Sequence, residues 1–171
     1  NGRTLTFAGT ASLPYTLGLN GADFIIVNNL VVTGTDVTNA LTVHLWNDAN
    51  NNTFNGCTLN ASLSATGTLH CPFSISGTAT STTTTGAAGS NNTISNCTLN
   101  GGYYGLALSG SIASSGTQVL NNTIRDFYSY GIYHYYHQGS IVRGNIIERT
   151  AARSNASTTY GIYVGTSTLN L

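Results

Sequence analysis

Lysine and methionine are missing from this 171-residue chain, proline occurs twice, and charged side chains make up only 6% of it. Soluble domains usually carry about 25% charged residues, so solubility here must rest on uncharged polar groups. Five arginines against five Asp and Glu leave a formal net charge of zero. Without net field or basic cluster, the chain lacks the electrostatic footprint that nucleic acid demands, and nucleic-acid binding is excluded. No apolar run approaches the roughly 20 residues that span a bilayer, so no membrane span is expected. Helical periodicity is missing as well. Three cysteines, an odd number without Cys-x-x-Cys spacing, argue against a zinc site and against a disulfide scaffold.

What is present is Asn, Ser, Thr, Gly and Tyr, arranged with a period. An asparagine step returns with similar neighbours: Val27-Asn28-Asn29-Leu30, Asn51-Asn52-Thr53-Phe54, Asn91-Asn92-Thr93-Ile94, Asn121-Asn122-Thr123-Ile124 and Gly144-Asn145-Ile146-Ile147. Taking Asn29, Asn52, Asn92, Asn122 and Asn145 as one column gives intervals of 23, 40, 30 and 23 residues. Such a stretched period reads as one repeated unit carrying loops of different length. A second column follows the first, as Tyr104-Gly105-Leu106-Ala107-Leu108, Tyr130-Gly131-Ile132-Tyr133-His134 and Tyr160-Gly161-Ile162-Tyr163-Val164. Looser versions occur at residues 40–45 and 68–75.

Short period-two strands between Asn and Gly turns predict an all-β, right-handed parallel β-helix of about five coils. Strands of successive coils then pair about 4.8 Å apart, and equivalent side chains stack in columns. The Asn column is expected to be structural, because Asn tolerates a left-handed turn and stacked amides can hydrogen-bond along the axis. Two inward stacks are expected: Val31, Phe54, Ile94, Ile124 and Ile147, then Leu41, Leu69, Leu106, Ile132 and Ile162. Arg125 should face Glu148, and Asp126 should face Arg149, each pair worth roughly 0.2–1 kcal/mol. Cys57 and Cys97 share a column and should be neighbours, with a buried thiol stack favoured and a disulfide left open. Cys71 has inward parity. Loop insertions are expected near 77–90 and 150–159. The chain reads as a single solenoid segment over 1–171, part of a longer protein, because neither end supplies a polar cap.

The Asn-Asn-Thr-Ile and Tyr-Gly-Ile-Tyr units resemble the right-handed parallel β-helix repeats of pectin-lyase-like and NosD-like proteins, over most of residues 20 to 165. The text is most similar to repeat regions of large secreted bacterial surface proteins exported by the type IX system. That resemblance implies a secreted or cell-surface location and flanking domains as partners. Polysaccharide-cleaving members of the family need clustered carboxylates, or an acidic calcium site with a basic residue. Here Asp23, Asp36 and Asp48 form no repeated column, and no Asp-Asp pair occurs. The reading leans away from catalysis and assigns no catalytic residue, metal or cofactor.

His134 and His137 carry a His-x-x-His spacing that a metal could use, but no third ligand is evident and His134 shares the parity of Ile132. Tyrosine is the stronger functional signal, with ten residues. By parity Tyr133 and Tyr163 point outward beside Ala107, and exposed aromatic rows can contact sugars. The expected function is a non-catalytic structural or adhesive module, with polysaccharide or cell-surface glycan as its candidate partner at Tyr133, Tyr135 and Tyr163. The second reading is a segment of a polysaccharide lyase or glycoside hydrolase.

Overall fold

The computed structural model describes residues 3–150, 152–155 and 157–171. The secondary structure of these residues is all strand and turn, and the strands fall into a strict rotation among three sheets. After β1 (Thr4–Phe7), the first coil holds β2 (Tyr15–Asn20), β3 (Ile26–Asn28) and β4 (Val31–Gly34). The second holds β5 (Ala40–Trp46), β6 (Thr53–Asn55) and β7 (Thr58–Asn60), and the third β8 (His70–Ile75), β9 (Thr93–Ser95) and β10 (Thr98–Asn100). The fourth is β11 (Tyr104–Ser109), β12 (Gln118–Leu120) and β13 (Thr123–Arg125). The fifth is β14 (Tyr130–Tyr135), β15 (Ser140–Arg143) and β16 (Ile146–Glu148), followed by β17 (Tyr160–Gly165) and β18 (Leu169–Asn170). Three six-stranded parallel sheets result. Sheet A runs β1-β4-β7-β10-β13-β16, sheet B β2-β5-β8-β11-β14-β17, and sheet C β3-β6-β9-β12-β15-β18.

Each sheet contributes an inward column to one core. Sheet A gives Val32, Leu59, Leu99, Ile124 and Ile147. Sheet C gives Val27, Phe54, Ile94, Val119 and Val142. Sheet B gives Val43, Phe73, Leu106, Ile132 and Ile162, with Leu45, Ile75, Leu108 and His134 alongside. These columns correct the expected stacks. Phe54 and Ile94 belong to sheet C whereas Ile124 and Ile147 belong to sheet A, and Val31 is a half-buried partner of Thr58. Leu69 precedes β8, and Leu41 leaves the main core for a separate cluster with Cys71, Tyr104 and Ala107.

Leu41 misled because strand parity breaks inside sheet B. Tyr130 and Tyr133 are three residues apart yet share a face, their rings 5.4 Å apart. In the later coils the break falls at a glycine, and in Leu41's own coil at Thr42, whose hydroxyl donates to Asn60 O of sheet A at 2.8 Å. A Cβ on Gly131 would come within 2.5 Å of Gly161 O on the next strand, 2.5 Å of Ile147 Cγ2 and 3.1 Å of Phe127 Cε1, so the chain there lies close against both its neighbour and sheet A. Only a residue without a side chain fits.

The asparagines also divide. Each coil has two left-handed corners five residues apart: Phe24 and Asn29, Asn51 and Gly56, Asn91 and Asn96, Gly116 and Asn121, Gly139 and Gly144 all have positive φ. Asn52 and Asn92 follow the corner between sheets B and C, whereas Asn122 and Asn145 follow the corner between C and A. The expected single ladder over Asn29, Asn52, Asn92, Asn122 and Asn145 is therefore two ladders. In the first, Asn52 Oδ1 accepts from Ile25 N at 2.9 Å and Asn92 Oδ1 from Asn52 N at 2.9 Å. In the second, Asn122 Oδ1 accepts from Cys97 N at 2.9 Å and Asn145 Oδ1 from Asn122 N at 2.8 Å. Asn29 belongs to neither and occupies a left-handed corner itself, at φ 54°.

Cysteine continues the second ladder. Cys57 N donates to Cys97 Sγ at 3.3 Å, so Leu30, Cys57, Cys97, Asn122 and Asn145 form one column whose chemistry changes along the axis. Both cysteines are buried free thiols and neighbours, as their spacing required. Cys71 is buried too, but with Leu41 in the separate cluster and not in the main core that its parity implied, and desolvation pushes its thiol up to about 12.

Candidate functional site

The outer face of sheet B is the part of the solenoid most unlike a plain spacer. Column register places Tyr104, Tyr130 and Tyr160 in one row and Ala107, Tyr133 and Tyr163 in the next, with Tyr135 beside them. Tyr130 and Tyr160 stack at 5.0 Å with 9° between ring planes, and Tyr133 and Tyr163 at 5.2 Å and 9°. Tyr135 lies 6.0 Å from Tyr133 and edge-on to Tyr136 at 4.7 Å. Tyr103 packs on Tyr104 at 4.8 Å and extends the platform.

Stacking at coil spacing turns the ring faces of Tyr133 and Tyr163 toward each other. That contact covers one face of each ring and leaves the phenol edges open to a ligand. The hydrogen bonds of the described residues involve none of these hydroxyls, nor is one among the buried unpaired atoms, so the hydroxyls of the half-buried Tyr133, Tyr135 and Tyr163 reach solvent. Burial first, and the neighbouring tyrosines second, raise the Tyr130 and Tyr133 hydroxyls above the usual phenol range. They stay neutral donors and acceptors at physiological pH.

One side of this platform is walled. The insertion near 77–90 folds back over coils two and three, where Thr78 O bonds His44 Nε2 at 2.8 Å and Ser74 Oγ bonds His44 Nδ1 at 2.7 Å. Thr82 Oγ1 donates to Thr68 O at 3.0 Å, tying the two loops together. His44 is thereby a buried fastener, and desolvation lowers its pKa to about 4. Beyond the wall, Tyr15 and Trp46 form a smaller aromatic pair at 4.9 Å.

The other insertion, near 150–159, includes Ala151 and Ala156, which lie outside the described residues. Its Arg153 is buried beneath the turn that follows sheet A. Nη1 donates to Gly102 O at 3.1 Å and Asp126 O at 3.0 Å, Nη2 donates to Ala65 O, and the guanidinium sits 5.1 Å over the Tyr128 ring. One side chain thus stitches three coils.

The expected charge pairs take other partners. Arg125 and Glu148 are in register, but Arg125 Nε donates to Asn100 Oδ1 at 2.7 Å. Asp126 accepts from Thr150 N at 2.7 Å and Thr150 Oγ1 at 2.9 Å, whereas Arg149 donates to Thr159 Oγ1 and Asn155 O. A backbone N–H or carbonyl held in place by the coil costs less to reach than a flexible, solvated partner.

His134 points into the core, as its parity required, and both its ring nitrogens are buried without a partner. His137 lies 5.8 Å away, its Nδ1 3.1 Å from Ser140 Oγ and its Nε2 3.2 Å from Gly89 O. The pair is part of the packing at a corner, and no group of three metal-ligating side chains occurs among the described residues.

Three parallel sheets wound by short coils, with stacked columns inside and corner ladders between, define a parallel β-helix protein. Residues 82–171, just over half of the chain, match the family model described as "Right handed beta helix region". The chain belongs to that family. The comparisons with curated proteins and with solved structures found no match.

Proposed function

We propose that this chain is a non-catalytic structural and adhesive module of a large secreted or cell-surface bacterial protein, and that it contacts polysaccharide through the outer face of sheet B. The observation that carries the reading is the tyrosine platform: a row of neutral hydroxyls at coil spacing, held rigid by ring stacking and walled by the 77–90 loop. A preorganised row of hydroxyls binds the hydroxyls of a sugar with little ordering cost. Contact is then made by hydroxyls and ring edges rather than by ring faces. The module's stiffness comes from the corner ladders, which hydrogen-bond the rungs at sites other than the sheets.

Several carboxylates have local structural work that fits a non-catalytic role. Asp36 caps the Thr38 and Asn39 amides at 2.8 and 2.6 Å, Asp23 accepts from Asn50 N at 2.6 Å, and Asp126 holds Thr150.

A glycan array tests the proposal, with the chain beside its Tyr133→Ala/Tyr163→Ala and Tyr133→Phe/Tyr163→Phe variants, each checked for folding by circular dichroism. Wild type should bind a subset of glycans, and both variants should lose about tenfold, or roughly 1.4 kcal/mol. Equal, negligible signal from all three proteins sinks the carbohydrate reading.

A further inference from the structure

On the outer face of sheet A, away from the tyrosines, a cavity of about 470 Å³ is lined by Asn60, Leu63, Asn100, Arg125, Asp126 and Thr150. Three of the chain's five arginines, Arg125, Arg149 and Arg153, lie on sheet A or in the turns that follow it, together with Asp126 and Glu148. Among the described residues the hydrogen bonds of all three go to neutral partners, with Asp126 in electrostatic reach of Arg153 and Glu148 in register with Arg125. Arg149 and Arg153 spend both terminal guanidinium nitrogens on the loop and the coil edges. Arg125 does not.

Arg125 uses only Nε, which donates to Asn100 Oδ1 at 2.7 Å. Asn100 Nδ2 in turn donates to Asn60 Oδ1 at 2.7 Å, and Asn60 Nδ2 donates to Thr33 Oγ1 at 3.2 Å. This third ladder has one direction, and Arg125 stands at its acceptor-seeking head. The chain of amides fixes the plane of the guanidinium, so its two terminal nitrogens form a preorganised fork at the cavity wall. Asp126, the one anion in the lining, has Oδ1 taken by Thr150 N and both oxygens approached by Thr150 Oγ1.

We propose that this cavity binds the oxyanion of a small hydroxylated molecule: the Arg125 fork takes a carboxylate, sulfate or phosphate group, and the second amide hydrogens of Asn60 and Asn100 take hydroxyls. The site is independent of the sheet B platform, lying on another side of the solenoid.

The test is a titration of the chain with inorganic sulfate, inorganic phosphate, a sulfated monosaccharide and the neutral parent sugar, followed by NMR and calorimetry. Arg125→Gln keeps a donor toward Asn100 and so preserves the ladder. Arg143→Gln, an exposed arginine on sheet C, controls for general charge. Wild type should bind the anions and not the neutral sugar, Arg125→Gln should lose at least tenfold, and Arg143→Gln should be unchanged. Tighter binding of the sulfated sugar assigns the site to an anionic glycan, and equal affinities assign it to a free anion. Absence of anion binding, or equal losses in the two variants, overturns the proposal. The wild-type Arg125 Nε–H resonance gives a reading that needs no variant: it must shift on titration, and a stationary signal also overturns the site.

Discussion

Replacing His134 with leucine should stabilise the protein, and should do so most in acid. His134 continues the column Leu45, Ile75 and Leu108, is fully buried, and has no partner for either ring nitrogen. Burial first, then His137, lowers its pKa from 6.5 to about 4. Above about pH 7.5 the imidazole is neutral whether folded or not, and its contribution does not vary. As pH falls from 6.5 toward 4 the unfolded chain takes up a proton that the folded chain refuses, and stability declines by about 1.4 kcal/mol per pH unit. Between about pH 7.5 and 5 this single group costs the wild type about 2 kcal/mol. His134→Leu removes that loss, and at neutral pH it also removes two unsatisfied buried nitrogens, worth about 1 kcal/mol. The assay is urea unfolding of both proteins at the two pH values, followed by circular dichroism and Trp46 fluorescence. Identical acid losses in the two proteins, or a variant weaker than wild type at neutral pH, would refute the reasoning. His44 and His137, also lowered to about 4, leave part of the acid sensitivity in place, so the variant's slope should diminish and not vanish.

Gly131→Ala should cost about 2–3 kcal/mol by overpacking against Ile147 and Phe127, whereas Gly161→Ala, whose added Cβ meets nothing within 4 Å, should be close to neutral; paired urea midpoints check both. Asn122→Ala should cost about 2–3 kcal/mol, because it orphans Cys97 N in the buried corner and removes the side-chain donor to Ile94 O. Asn29→Ala loses only a left-handed preference and should cost about 1 kcal/mol, so near-equal midpoints for the two variants would contradict the division into separate ladders.

The architecture was legible because coil repetition writes itself into the sequence several times over. The Tyr-Gly units at Tyr104, Tyr130 and Tyr160 aligned as their spacing implied, and Tyr133 and Tyr163 became register partners. The asparagines were harder, since both corners of a coil ask for the same thing: a residue tolerant of positive φ, then a side chain turned into the bend. Asn-Asn-Thr at residues 51–53 and at 121–123 is therefore the same text at different corners. The distinguishing signal was present as pairs of left-handed-tolerant residues five apart, such as Asn91 with Asn96 and Gly116 with Asn121. Read that way, the rungs repeat at 27, 40, 25 and 23 residues. The Arg125–Asn100–Asn60 ladder and the burial of Arg153 left no local trace, because each depends on which coil lies above which. Parity failed at Leu41 for a related reason: the break in sheet B is set by contact with sheet A and not by the strand itself.

The interval of 40 residues between Asn52 and Asn92 stacks with a 2.9 Å amide contact, as its shorter counterparts do at 2.8 to 2.9 Å. Pitch is therefore blind to how far the chain wanders sideways between one corner and the next. Foreign sequence placed between Thr83 and Thr85, at the rim of the wall, would lengthen the excursion while the rungs kept their height. A solenoid of this kind can acquire new recognition surfaces one loop at a time without renegotiating its axis.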